Sequence, residues 1–259
     1  MNATDIPVTF TSSRGVVIRG RLVLPTTNQI RLYPTVVMLT GDGPQGTKSA
    51  TWVNIPQMLA EHGVGSFLFD FEGLGHSDGQ RRNLSLSVGL SNLKDAMLIL
   101  SQQPKVDQER IAIFGSSFGG NIAILHTADT ASIRCLGLKS PVSFYPDSFY
   151  GELGDVRMSR WAEERYLDDI GFNYEFYLDA FRYNTYDAAM RIHCNCLITH
   201  GSADKVVPLV QSKHLAAALV NAPSKELRIL DGVGHGYSEP GAWDQMAALF
   251  VWWFVEQLR

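Results

Sequence analysis

Two serines in this 259-residue chain sit in the pattern G-x-S-x-G: Ser77 in "GHSDG" (75–79) and Ser117 in "GSSFG" (115–119). The pattern suits a nucleophile. A serine on a sharp strand-to-helix turn has an exposed hydroxyl, and glycines around it admit backbone where side chains would clash. The hydroxyl stays weak until an imidazole takes its proton, and the reaction also needs N–H donors aimed at the developing oxyanion. The chemistry at stake is acyl transfer through a covalent intermediate.

The flanks separate the two serines. Residues 110–125, "RIAIFGSSFGGNIAIL", run from a β-rich segment through the turn into an apolar helical segment, with Ser117 at the centre. "GHSDG" follows "FLFD" only after "FEGL" and leads into "QRRN", so neither flank is tight and Ser77 reads as a loop serine. Ser117 is the candidate nucleophile. An ordinary small residue at a turn is the competing reading.

An elbow of this kind expects an acid and then a histidine further along the chain. In "CLITHGSADKVVP" Asp204 follows a β-rich run and precedes a helical stretch, and in "LRILDGVGHGYSEP" His235 lies in a Gly-rich loop before the last helical stretch. The carboxylate would hold the imidazole in the tautomer that accepts a proton. Asp231 is the alternative acid, but it stands only four residues before His235 on the same connection. His200 lies close to Asp204 and reads as a loop-holding residue, and His76 belongs to the "GHSDG" loop. One oxyanion donor would be the N–H of Phe118, the residue after the nucleophile. The second would come from "TGDGPQGTK", with the backbone of Asp42 first and Gly43 next. The Asp42 carboxylate should turn away from a site built for negative charge.

These residues need a scaffold that alternates strands and helices. "PVTFTSSRGVVIRGRLVLP" alternates in polarity and turns at Arg14-Gly15, as a hairpin does. Further β-rich runs occupy 35–40, 65–70, 110–115, 134–140, 194–199 and 225–230, with helical stretches near 49–62, 86–102, 118–128, 210–220 and 241–257. Such alternation predicts a mostly parallel sheet covered by helices on both faces. Residues 141–190 break the rhythm: they hold 13 of the 27 aromatic residues and 10 acidic against 4 basic residues. Helices are expected near 157–170 and 173–183, the latter presenting Tyr174, Tyr177, Leu178 and Phe181 on one face. We expect a core domain of 1–140 and 191–259 with 141–190 inserted as a lid. Aromatic packing alone is the plainer reading of that segment.

Composition narrows the function classes. A net charge of -4 with no basic, aromatic-interleaved stripe excludes a nucleic-acid footprint. The longest apolar run, "LFVWWFV" (249–255), falls short of the ~20 residues that cross a bilayer and reads as the buried face of a terminal helix. The first residues lack a secretory pattern, and the three cysteines, Cys135, Cys194 and Cys196, are an odd number, so a cytoplasmic location is expected. His193 beside Cys194 and Cys196 does not match a zinc spacing, and buried thiols are the expectation.

With elbow, acid, histidine and Gly-rich loop in register, the chain resembles the α/β-hydrolase superfamily. "FDFEGLGHSDG" (69–79) resembles the F-D-x-x-G-x-G-x-S-x-G loop of its feruloyl and cinnamoyl esterase branch and of acyl-peptidase and dienelactone-hydrolase-like relatives. The resemblance implies an α/β fold with an eight-stranded, mostly parallel sheet flanked by helices and a small helical lid after the sixth strand. It implies a triad of Ser117, Asp204 and His235, with Phe118 and Asp42 at the oxyanion hole. Thr40-Gly41 stands where many members carry His-Gly, a departure that affects the loop's position more than its backbone donor.

The expected activity is therefore a serine esterase acting on a small-molecule ester with a small aromatic or medium acyl group, without metal or organic cofactor, nucleic acid or membrane. Thioester or amide cleavage by the same triad, a non-catalytic binding protein, and a lyase or cofactor-free dioxygenase on the same fold are the alternatives. Oligomeric state is left open, a homodimer included.

Overall fold

The computed structural model describes residues 3–26 and 32–259. The opening hairpin pairs β1 (Ala3–Thr11) with β2 (Val17–Pro25), and it turns at Gly15, whose φ of 79° lies in the left-handed region. Then come β3 (Tyr33–Leu39), α1 (Ala50–Glu61), β4 (Gly65–Phe69), α2 (Leu86–Ser101), β5 (Val106–Ser116), α3 (Phe118–Ala128) and β6 (Ile133–Lys139). The chain continues through α4 (Tyr145–Glu164), α5 (Glu175–Ala180), α6 (Thr185–Ala189), β7 (Asn195–Gly201), α7 (Leu209–Ala218), β8 (Lys225–Leu230) and α8 (Ala242–Gln257).

The strands form one sheet in the order β1-β2-β4-β3-β5-β6-β7-β8. The hairpin pairs antiparallel with its neighbours, and β3 to β8 run parallel. Every residue of β3 and β4 is buried, as expected of central strands covered on both faces. One core lies between the sheet and α2, α3 and the 141–190 segment, around Phe67, Phe69, Ile113 and Phe118. The other lies beneath α1 and α8, where Trp52, Phe114, Phe250 and Phe254 meet. The terminal apolar run supplies Phe250, Val251, Phe254 and Val255 to that core, while Trp252 faces outward. Among the described residues no helix is long and apolar enough to cross a membrane.

Between β6 and β7 the helices differ from the sequence expectation. The first begins earlier, at Tyr145, with Pro146 in its first turn where a missing N–H costs nothing, and bends at Gly154 (φ 65°). It stops at Arg165, whose left-handed φ of 66° ends the run well before 170. Over 173–183 only a short helix forms. Its buried side chains are Phe176 and Ala180, whereas Leu178 and Phe181 are exposed. Six residues cannot sustain a four-position stripe, and packing around Phe176 sets the orientation instead.

Candidate active site

Ser117 closes the turn between β5 and α3 with φ 52° and ψ -116°, a strained conformation for a residue with a side chain. The strain is held from several sides. Its N–H donates to the Lys139 carbonyl (3.1 Å), and its own carbonyl accepts from Gly120 (3.0 Å), Asn121 (3.2 Å) and Val142 (3.2 Å). Gly119 is needed because a Cβ there would collide with the carbonyl oxygens of Leu39 and Thr40. The Phe118 N–H lies in the first turn of α3, at the positive end of the helix dipole, and finds no acceptor among the described residues.

Asp204 follows β7, and its side chain is fully buried. Its Oδ2 accepts a hydrogen bond from Nδ1 of His235 at 2.8 Å, and Oδ1 accepts from the N–H groups of Val206 and Val207, each at 2.9 Å. His200 Nε2 stands 3.3 Å from Oδ2. Burial opposes ionisation of this carboxyl. The hydrogen bonds from His200, His235 and Val207, with the attraction of His235, outweigh it and hold the group well below the ordinary carboxylate range. With Nδ1 committed to Asp204, His235 keeps Nε2 to accept a proton.

His200 does what its position suggested. Fully buried, it bonds the Ser212 hydroxyl through Nδ1 (2.7 Å) and the Val207 carbonyl through Nε2 (2.9 Å), tying the acid loop to α7. Asp231 is exposed and accepts from the Ser202 hydroxyl (2.9 Å), whereas the carboxylate bonded to His235 is that of Asp204. Ser77 is engaged on both sides, donating to the Asp70 carbonyl (2.6 Å) and accepting from the Arg19 N–H (2.9 Å). Beside it the buried Asp70 carboxylate takes the N–H groups of Thr47 (2.7 Å) and His76 (2.9 Å). The "GHSDG" loop is thereby fastened to the loop after β3. Cys135 and Cys196 are buried and Cys194 is half-buried, all three as free thiols.

Ser117, His235 and the loop containing Asp42 line one cleft of about 540 Å³, together with Ser49, Thr51, Trp52, Lys139 and Val206. No hydrogen bond joins Ser117 to His235 in this state, a contact that commonly tightens only when substrate binds. None of the described residues lining the cleft comes from 141–190. The aromatic rings of that segment pack on one another and on Phe118, with Tyr145 at 6.3 Å and Phe176 at 6.0 Å between centroids. They reach the site through Phe118.

Two features were not read from the sequence. The first is the environment of the Asp42 carboxyl: burial raises it above the ordinary range, while Arg81, its own N–H and His235 lower it. Arg81 also donates to the Asp42 carbonyl (3.0 Å) while its guanidinium covers the Phe172 ring, which anchors the loop from the far side. The second feature is Lys139, a buried residue at the end of β6. Its ammonium donates to the His235 carbonyl (3.1 Å) and lies 4.3 Å from the Tyr237 ring centroid. Burial brings it down to about 8, with Asp204 pulling the other way. A lysine ending the apolar run "RCLGL" was the available signal.

A mostly parallel sheet with an elbow after β5, an acid after β7 and a histidine after β8 defines an α/β-hydrolase. The chain belongs to the prolyl oligopeptidase family, whose family model matches residues 51–259. It is 27% identical over 240 residues to the uncharacterized protein YfhR of Salmonella typhi, covering 87% of this chain and 73% of YfhR. To the polyketide transferase grgF of a Penicillium species it is 32% identical over 132 residues, 49% of this chain and 43% of that one. Among solved structures, ferulic acid-bound Est1E from Butyrivibrio proteoclasticus superposes with a TM-score of 0.82 at 22% identity, covering 96% of this chain and 98% of Est1E.

Proposed function

We propose that this protein is a serine hydrolase that cleaves carboxylic esters through Ser117, His235 and Asp204. The observation that carries the reading is the 2.8 Å bond to a buried Asp204 from His235, which lines the same cleft as Ser117. His235 Nε2 takes the Ser117 proton as Oγ attacks the acyl carbon. The oxyanion that develops is received by the Phe118 N–H and a backbone donor of the Asp42 loop. His235 then returns the proton to the leaving alkoxide, and water activated by the same imidazole releases the acid. The cycle calls for no metal or organic cofactor.

Residues 141–190 act in this reading as a lid that seats Phe118. The substrate preference rests on the cleft itself, whose volume suits a small or medium ester, with Trp52 as its large apolar contact. Membership of the prolyl oligopeptidase family favours a second reading, amide or peptide cleavage by the same residues. Rates of kcat/KM on an ester, a thioester and an anilide with one shared acyl group separate them. The proposal expects the ester to exceed the anilide by more than their difference in intrinsic reactivity. An anilide or peptide preference would replace the esterase reading.

A further inference from the structure

We propose that Lys139 is a recognition site for a carboxylate carried by the substrate, so that the preferred esters are those that also bear a free acid. The inference rests on the ester-hydrolase reading and deepens it.

The cleft that Ser117 and His235 line contains one lysine, and that lysine is 7% exposed. Its ammonium has three protons to donate. Among the described residues its one hydrogen-bond acceptor is the His235 carbonyl, at 3.1 Å, with the Tyr237 ring beside it. No carboxylate of the described residues forms a salt bridge with it. The acids nearby are otherwise engaged: Asp204 holds two histidines and two N–H groups, and Asp42 is under the attraction of Arg81, which also bonds its carbonyl. A buried cation with no carboxylate in contact, only the more distant attraction of Asp204, is costly, and an anion in the cleft would supply a direct partner.

A second positive feature opens on the same cleft. The first turn of α1 contributes Thr51 and Trp52 to the lining, it contains no acidic residue, and Ser49 places no side-chain cap on its N–H groups. The N–H groups of Trp52 and Val53 bond the Ser49 carbonyl, which leaves those of Ala50 and Thr51, with the helix dipole, to favour negative charge. Lys139 pairs in register with Ser116, the residue before the nucleophile, and adjacent strands lie about 4.8 Å apart. Because Lys139 and Ser117 line one cleft, a short acid that meets Lys139 can also present its ester carbonyl to Ser117.

The test uses the monoethyl esters of succinic, glutaric and adipic acid, each against the ethyl ester whose free acid is replaced by a carboxamide. For wild-type protein the acid form of at least one chain length should exceed its amide by about tenfold or more in kcat/KM, the scale of a charge-assisted hydrogen bond. Lys139→Met should lower both series, since it also loses the His235 carbonyl contact, but the acid-to-amide ratio should collapse toward one. Loss of both series by the same factor would make Lys139 a mere anchor of the His235 loop and overturn the proposal. So would a wild-type ratio of one or less at every length.

Should Lys139→Met fail to fold, the wild-type ratio still decides. It should fall as pH rises through about 8, where the ammonium loses its charge among His235, Tyr237 and Asp204. A flat ratio contradicts the proposal. The amide esters keep the two readings apart, because their Ser117-dependent hydrolysis would sustain the esterase assignment even if the acids gained nothing.

Discussion

His235 Nδ1 stands 2.8 Å from Asp204 Oδ2, and the other oxygen of that carboxylate is held by two consecutive backbone N–H groups, from Val206 and Val207. The acid is thus fixed before any substrate arrives. Asp204→Asn keeps the shape but can present an N–H to Nδ1, which favours the tautomer with its proton on Nε2. We expect kcat to fall by about three to four orders of magnitude with little change in KM. Steady-state kinetics check this, and a loss below tenfold would remove Asp204 from the triad.

His200 approaches the same carboxylate oxygen, its Nε2 3.3 Å from Oδ2. Because its bonds help hold Asp204 below the range of an unfolded aspartate, they contribute stability that is fully present above about pH 4 and lost as pH falls through the folded value. His200→Phe should cost about 2 kcal/mol or more at neutral pH. The gap to wild type should narrow on acidification below about pH 4. Urea unfolding at several pH values measures both.

Ser77 and Ser117 share a sequence pattern and differ in engagement. Ser77→Ala removes a donor to the Asp70 carbonyl and an acceptor from the Arg19 N–H, which should cost about 1–3 kcal/mol of stability. The folded variant should still hydrolyse esters. Thermal unfolding alongside an ester assay separates stability from activity, and complete loss of turnover in a folded Ser77→Ala protein would contradict the assignment.

The placement of Asp42 makes a prediction about pH. An ionised carboxylate beside the oxyanion donors opposes the charge that develops on the substrate, so its raised value spares the site in the lower part of the range. As pH rises and Asp42 ionises, wild type should lose ground to Asp42→Asn. The variant-to-wild-type ratio of kcat/KM should therefore increase with pH. A ratio that falls with pH would mean that the carboxylate assists the reaction.

The sequence was most informative where local chemistry and topology coincide. The β5 elbow, the acid after β7 and the histidine after β8 each carry a turn signal tied to an apolar run, and the strands around them fall within a few residues of expectation. The helices of 141–190 were less legible, because a kink at Gly154 and packing around Phe176 are tertiary effects with weak local signatures. The environment of the Asp42 carboxyl depends on Arg81, which arrives from a separate loop. Lys139 was visible as an oddity, but its relation to His235 required the fold.

The central claim is that Ser117 is an activated nucleophile. A fluorophosphonate forms a bond to a serine Oγ only where a base and an oxyanion hole are in place, so labelling followed by peptide mapping tests that claim without knowledge of the substrate. The account predicts one label per chain, on the peptide containing Ser117, and none in folded Ser117→Ala. Label on Ser77, or no label on folded wild-type protein, would contradict it.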